Sequence, residues 1–211
     1  TSKSRSRMIF SKSDGLNVVQ LLGSDPELLQ KAFYWAVEAG AQVVDFNMGC
    51  PAKKVCSVAC GSALMRDESQ AKAILTALGL ASEQCQIPVT LKCRTGWDDQ
   101  HKNALLIAQM AQDNGFQLVT IHGRTRAGGF LSPVEYDTIA QVAQTLSIPV
   151  VANGDIKTGH QALEVLQKTG AKAVMIGRAT MGQPWIFREM KAVLNGQVPS
   201  EVSMPVSYTH L

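Results

Sequence analysis

Gly40-Ala-Gln-Val-Val-Asp-Phe-Asn47 returns along the chain as Gly115-Phe-Gln-Leu-Val-Thr-Ile-His122 and again as Gly170-Ala-Lys-Ala-Val-Met-Ile-Gly177. Each copy is a glycine that ends a helix, a short apolar strand, then a polar or glycine exit. A second phrase also recurs, as Ile87-Pro-Val-Thr-Leu-Lys92 and Ile148-Pro-Val-Val-Ala-Asn153. Proline at the first residue of a strand removes no central ladder bond, so both read as strands too. With Asn17-Val-Val-Gln20, the strands fall near 16–21, 42–47, 88–93, 117–122, 148–153 and 172–177.

Helical segments lie between them. Ser24-Asp-Pro-Glu27 reads as a capping box with an early proline, opening a helix to Ala39. Ser132-Pro-Val-Glu135 repeats that signature and is expected to open a helix to about Thr145. The stretches 67–83, 101–114, 158–169 and 184–195 carry helical periodicity. Apolar strands alternating with helices mean a parallel sheet covered by helices.

An open doubly wound sheet and a closed (β/α)8 barrel both satisfy that alternation. The residues at the strand ends decide between them. Gln20, Asn47, Cys50, Lys92, His122, Asn153, Asp155, Gly177 and Arg178 all stand at or just past a strand's C-terminal end. A barrel gathers those ends around one mouth, whereas an open sheet strings them along an edge. The fold is therefore read as α/β, a (β/α)8 TIM barrel with six βα units in this chain. The other units need roughly 50–60 residues, for which a start at Thr1 rather than Met leaves room upstream. Residues 1–195 are assigned to the barrel. Residues 196–211 are read as a linker toward a further domain, and the last of them, Pro205–Leu211, as resembling translated adapter sequence.

The totals set limits. A chain of 211 residues, 45% hydrophobic and 18% charged, can bury one large core. A net charge of +3 does not by itself argue for nucleic acid. No apolar run approaches the ~18 residues of a membrane span, and Thr1–Arg7 leads into no signal-peptide core. The five cysteines contain no CxxC pair and no histidine at ligand spacing, which speaks against a disulfide framework and a zinc site. The expectation is a monomeric cytoplasmic protein with no membrane and no metal. Cys85 and Cys93 are read as inert fillers.

Four groups carry chemistry. Asn153-Gly-Asp155 and Ile176-Gly-Arg178 follow the last two strands and precede helical turns. Exposed backbone N–H groups, a helix N-terminus and a guanidinium together suit a phosphate. Lys92 ends an apolar strand and points into the mouth, where its charge suits the N1–C2 region of a reduced flavin. His122 ends the next strand, and the Gln20 amide is placed to meet a ring edge. Cys50 follows Gly49 in a strand-end loop, where both nucleophile and general acid are open to it, though no base lies near it in sequence. Lys53, Lys54, Arg94, Arg124 and Arg126, with Trp97, form a basic and aromatic rim suited to a polyanion.

Taken in order, Asn47-Met-Gly-Cys-Pro-Ala-Lys-Lys-Val55, Gly61-Ser-Ala-Leu64, Lys92-Cys-Arg-Thr-Gly-Trp97, Ile121-His-Gly-Arg-Thr-Arg126, Asn153-Gly-Asp155 and Ile176-Gly-Arg-Ala179 resemble the tRNA-dihydrouridine synthases, most of all the bacterial B type. The resemblance implies an FMN-dependent barrel followed by a helical domain that helps to hold tRNA. It implies reduction of the C5–C6 double bond of a tRNA uridine with NADPH as electron source. Hydride would pass from reduced FMN to C6 and a proton from Cys50 to C5. Gln20, Lys92 and His122 would lie against the flavin ring, and Asn153, Gly154, Asp155, Gly177 and Arg178 would hold its ribityl and phosphate. Asn47, Lys53, Arg94, Arg124 and Arg126 would face the RNA. The family's first strand, with its flavin loop, and its helical domain are not in this chain. The chain alone is therefore expected to be inactive or unable to retain flavin. An FMN-dependent reductase of free pyrimidines and a non-catalytic tRNA-binding module remain as alternatives.

Overall fold

The computed structural model describes residues 15–199. Thr1–Arg7 and the expected linker beyond residue 199 lie outside the described residues. Strands β1 (Val18–Leu21), β2 (Val43–Met48), β3 (Val89–Arg94), β4 (Leu118–His122), β5 (Val150–Asn153) and β6 (Ala173–Met175) form one parallel sheet in sequential order. Helices α1 (Pro26–Glu38), α2 (Lys53–Cys56), α3 (Glu68–Cys85), α4 (Ala104–Asp113), α5 (Asp137–Thr145) and α6 (Gly159–Thr169) connect them, and α7 (Ile186–Leu194) follows β6. A doubly wound sheet reverses its strand order at a switch point. Here each crossover steps to the next neighbour, the winding of a (β/α)8 barrel.

The period of two along each strand separates the faces. Val44, Phe46, Met48, Leu91, Cys93, Val119 and Ile121 are fully buried, and they pack in one core with Phe33 of α1 and Ile74, Leu75 and Leu78 of α3. The intervening residues line the other face, and the register joins them laterally. Gln20 pairs with Asp45 and Asp45 with Thr90; Asn47 pairs with Lys92; Arg94 pairs with His122 and His122 with Asn153. Polar residues tens of positions apart thus become neighbours at strand spacing, about 4.8 Å. The edge strands are not buried on both faces: Val18 of β1 and Met175 of β6 are 50% and 37% exposed.

Most helix punctuation follows the sequence. The Asp25 carboxylate caps α1 by accepting from Leu28 N at 3.0 Å, with Pro26 as its first residue. The repeated glycines Gly40, Gly115 and Gly170 all have positive φ (98°, 79° and 69°), as helix-terminating glycines should. The Ser132-Pro-Val-Glu135 signature is a correction: α5 begins at Asp137. Longer-range ties hold that segment extended. Glu135 N donates to Gly123 O at 2.7 Å, the Glu135 carboxylate pairs with Lys102 at 2.7 Å, and Arg124 Nε donates to Ser132 O. Among the described residues no helix is long and apolar enough to cross a membrane.

Candidate active site

A cavity of about 770 Å³ opens at the C-terminal ends of the strands. Gln20 lines it from β1, Asn47 and Cys50 from β2 and its loop, Lys92 and Arg94 from β3, and His122 from β4. Asn153, Gly154 and Asp155 reach it from β5, and Gly177 and Arg178 from the turn after β6. The strand-end residues expected from the sequence thus line one cavity. Lys53, Arg124 and Arg126 do not line it. Phe130, Lys157 and Gln183 do, and were not anticipated.

The Cys50 loop is held from inside the sheet. Asn47 Oδ1 accepts the backbone N–H groups of Gly49 and Cys50 at 2.9 and 3.0 Å. Asn47 Nδ2 donates to Gln20 Oε1 at 2.8 Å, and Gln20 Nε2 donates to Asp45 Oδ2 at 2.7 Å. Thr90 Oγ1 donates to the other Asp45 oxygen at 2.7 Å. Both Asp45 oxygens accept, so Asp45 sets the direction of every bond up to Cys50. Burial raises the Asp45 pKa, against hydrogen bonds from Thr90 and Gln20 and the charge of Lys92. The Gln20 carbonyl is engaged by Asn47, which leaves one amide N–H for a ligand in the cavity.

From the end of β3, the loop is also tied by Arg94. Its Nε donates to Gly49 O at 2.7 Å and its Nη1 to Thr125 O at 3.1 Å and Gly129 O at 3.2 Å. Arg94 is only 2% exposed. Burial first, and Arg124 next, bring its pKa to about 10, still charged at neutral pH. Lys92 Nζ donates to Asn153 Oδ1 at 3.3 Å, a neutral partner. Burial pulls the Lys92 pKa down, with Arg94 adding to the effect and Asp45 opposing it. His122 is pushed down to about 3 by burial and then by Arg94, Lys92 and Arg124, so the imidazole facing the cavity is neutral.

At the β5–β6 side, Gly154 has φ +135°, and a Cβ there would lie 2.9 Å from Val134 and 3.3 Å from His122. Only glycine fits. A Cβ on Gly177 would meet nothing within 4 Å, so that turn is open to a ligand. The Asp155 carboxylate takes both guanidinium nitrogens of Arg124 and, at 2.6 Å, one of Arg178. The hydrogen bond from Arg124 is the main reason its pKa is lowered. Asp155 therefore fixes Arg178, whose guanidinium also lies 5.0 Å from the Phe130 ring centroid.

The expected basic rim needs correction. Arg94 and Arg124 are 2% and 3% exposed and act as internal ties, because each is drawn inward by carbonyl or carboxylate acceptors. Lys53 and Lys54 are exposed on α2, and Arg126 is half-buried against Trp97. Cys93 is fully buried with its thiol pushed up to about 12 by burial, as suits an inert filler. Cys56 Sγ lies 3.7 Å from Cys50 O and 3.5 Å from Ser62 Oγ.

The residues present fit a flavin mononucleotide. Lys92, half-buried and bonded to Asn153 Oδ1, would supply positive charge to the ring. The open turn at Gly177 and the Arg178 guanidinium, with Gly154 beside them, would hold a phosphate.

A family model described as dihydrouridine synthase (Dus) matches residues 1–209. The chain is 50% identical over 188 residues to tRNA-dihydrouridine synthase B of Pseudomonas aeruginosa, covering 89% of this chain and 56% of that protein. It is 51% identical over 195 residues to the protein of the same name from Klebsiella pneumoniae, covering 92% and 60%. It thus spans about three fifths of the length of these curated relatives. Among solved structures, an (S)-mandelate dehydrogenase chimera aligns with TM-score 0.59 at 18% identity over 87% of this chain and 62% of that one. A Pediococcus acidilactici lactate oxidase described as putative aligns with TM-score 0.57 at 16% identity over 86% and 56%. These structural likenesses bear on the fold alone. On the family match and the site together, the chain belongs to the dihydrouridine synthase family, and resembles its B type.

Proposed function

We propose that the protein reduces a uridine of tRNA to 5,6-dihydrouridine, with FMN in the cavity, NADPH as reductant and Cys50 as proton donor. The observation that carries this reading is the convergence of Cys50, Lys92, Gly154, Gly177 and Arg178 on one cavity in a chain of this family. FMN, when bound and reduced, would supply the hydride that C6 of the base takes up. Cys50 holds a proton at Sγ and delivers it to C5, so that both hydrogens of the saturated bond are accounted for.

The other side chains position and exclude. Lys92 and Asn153 would hold the ring of the cofactor with a charged and a neutral polar group. Neutral His122 adds surface without taking up the proton, because its ring stays uncharged well below neutral pH. Asn47 and Arg94 grip the Cys50 loop from two sides, which fixes the thiol relative to the cavity. Lys53 and Arg126 supply charge toward the RNA. Free thiols throughout the described chain suit a reducing cytoplasm.

Incubation of the protein, extended to the full length of its curated relatives, with FMN, NADPH and unmodified tRNA transcript tests the reading. Dihydrouridine in the digested RNA supports it. Turnover of free uracil with none in tRNA would replace it with the free-pyrimidine reductase.

A further inference from the structure

We propose that Arg66, Trp97 and Arg126 form a clamp for the phosphodiester backbone of RNA on the β2–β4 side of the cavity mouth, beside rather than inside the catalytic cavity. The proposal rests on the tRNA reading above and assigns the place where the RNA chain crosses the rim.

Three successive βα loops each give one side chain to this stack. Arg66 ends the 3-10 turn Gly61–Arg66 that follows the Cys50 loop. Trp97 lies in the loop after β3, and Arg126 in the loop after β4. The guanidinium carbons of Arg66 and Arg126 lie 4.9 and 4.5 Å from the Trp97 ring centroid. The loops are stitched together beneath them: Arg126 N donates to Gly96 O and Ala127 N to Trp97 O, each at 2.9 Å. Trp97 N in turn donates to His101 O at 3.0 Å. The platform is thus preformed, and its order does not depend on a ligand.

The charges point to an anion. Arg66 is exposed and Arg126 half-buried, and among the described residues neither has a carboxylate partner. The acids nearby are already engaged. The Asp98 carboxylate accepts from the His101 ring at 2.7 Å, Glu68 from Asn103 at 2.8 Å, and Glu135 from Lys102 at 2.7 Å. Stacking on an indole holds a guanidinium by its face and leaves its N–H edge free for phosphate oxygens. A neighbouring hollow of about 520 Å³, lined in part by Arg66, Trp97 and Lys102, gives a nucleotide room beside the stack. Arg94 links the two places. It lines the catalytic cavity and also donates to Thr125 O, next to Arg126.

The test is the salt dependence of binding to an unmodified tRNA transcript by the protein and its R66Q, R126Q, R126K and W97L variants. Each lost phosphate contact lowers the slope of log K against log salt by about 1. R66Q and R126Q are expected to show that loss with affinity down about threefold to thirtyfold. R126K should keep the slope while weakening binding, since charge survives and stacking is diminished. W97L should weaken binding with the slope nearly kept. Binding by R66Q and R126Q with the parent affinity and slope, while the parent binds tRNA, overturns the clamp and leaves the tRNA reading standing. A parent that binds no tRNA at any salt overturns both. Unchanged thermal midpoints show that the variants are folded, and R66Q, at an exposed residue, carries the slope test if R126Q does not fold.

Discussion

Asn47 holds Cys50 in place: its side-chain oxygen accepts the N–H groups of Gly49 and Cys50 at 2.9 and 3.0 Å, while its amide nitrogen is anchored through Gln20 to Asp45. The thiol is thus fixed from a carboxylate inside the sheet. Asn47→Ala should leave two loop N–H groups without their acceptor and lower stability by about 1–2 kcal/mol, at roughly 1 kcal/mol per hydrogen bond. Urea unfolding measures the first effect. The alkylation rate of Cys50 by iodoacetamide measures the second, and it should change. An unchanged rate would mean that Asn47 does not govern the thiol's setting.

Lys92 should be a residue whose loss helps folding and harms binding. Its ammonium is largely buried with a neutral partner, and burial already depresses its pKa. Lys92→Met is expected to leave stability unchanged or raise it by about 1 kcal/mol, since an incompletely compensated buried charge is removed. Flavin affinity should fall at least tenfold. Thermal melts and a flavin fluorescence titration check the two halves separately.

His122 gives the fold an acid sensitivity of known sign. Its folded pKa is about 3, against an unfolded value of about 6.5. Between those values the unfolded chain binds the extra proton, so stability rises with pH there. The stability associated with a neutral His122 is complete above about pH 6.5 and is lost as pH falls toward 3, by up to about 1.4 kcal/mol per pH unit. His122→Asn should flatten the stability curve across that window relative to the parent. Parallel curves for parent and variant would contradict the assignment.

Arg124 should behave as an internal strut. Its guanidinium is buried, forked onto Asp155 and bonded to Ser132 O. Arg124→Ala should cost about 2–4 kcal/mol, below the full penalty of a broken buried pair because Asp155 keeps Arg178. Arg124→Lys should recover only part of this, since an ammonium cannot form the fork. Denaturant unfolding distinguishes this role from that of a surface cation, whose removal would be close to neutral.

The strands and the ring of strand-end residues were legible because they repeat. Glycine, apolar run and polar exit recur at β2, β4 and β6, and a barrel turns every such exit toward one mouth. What could not be read depends on lateral register. Gln20, Asp45 and Thr90 become a hydrogen-bonded set only because three strands bring them into one row. Arg66 meets Trp97 and Arg126 only through loop packing. Arg94 and Arg124 look like rim cations in sequence, since nothing local says that carbonyl and carboxylate acceptors draw them inward. The Ser132–Glu135 capping signature failed for the same reason: its glutamate pairs with Lys102 instead.

Cys50→Ala tests the central claim most directly. In the protein extended to the full length of its curated relatives, with FMN, NADPH and unmodified tRNA transcript, the account predicts that flavin reduction by NADPH proceeds at the parent rate, while dihydrouridine in the RNA, counted by mass spectrometry, falls at least a hundredfold, as loss of a positioned general acid commonly costs about 10²–10⁴. Dihydrouridine formation by Cys50→Ala at the parent rate would contradict it.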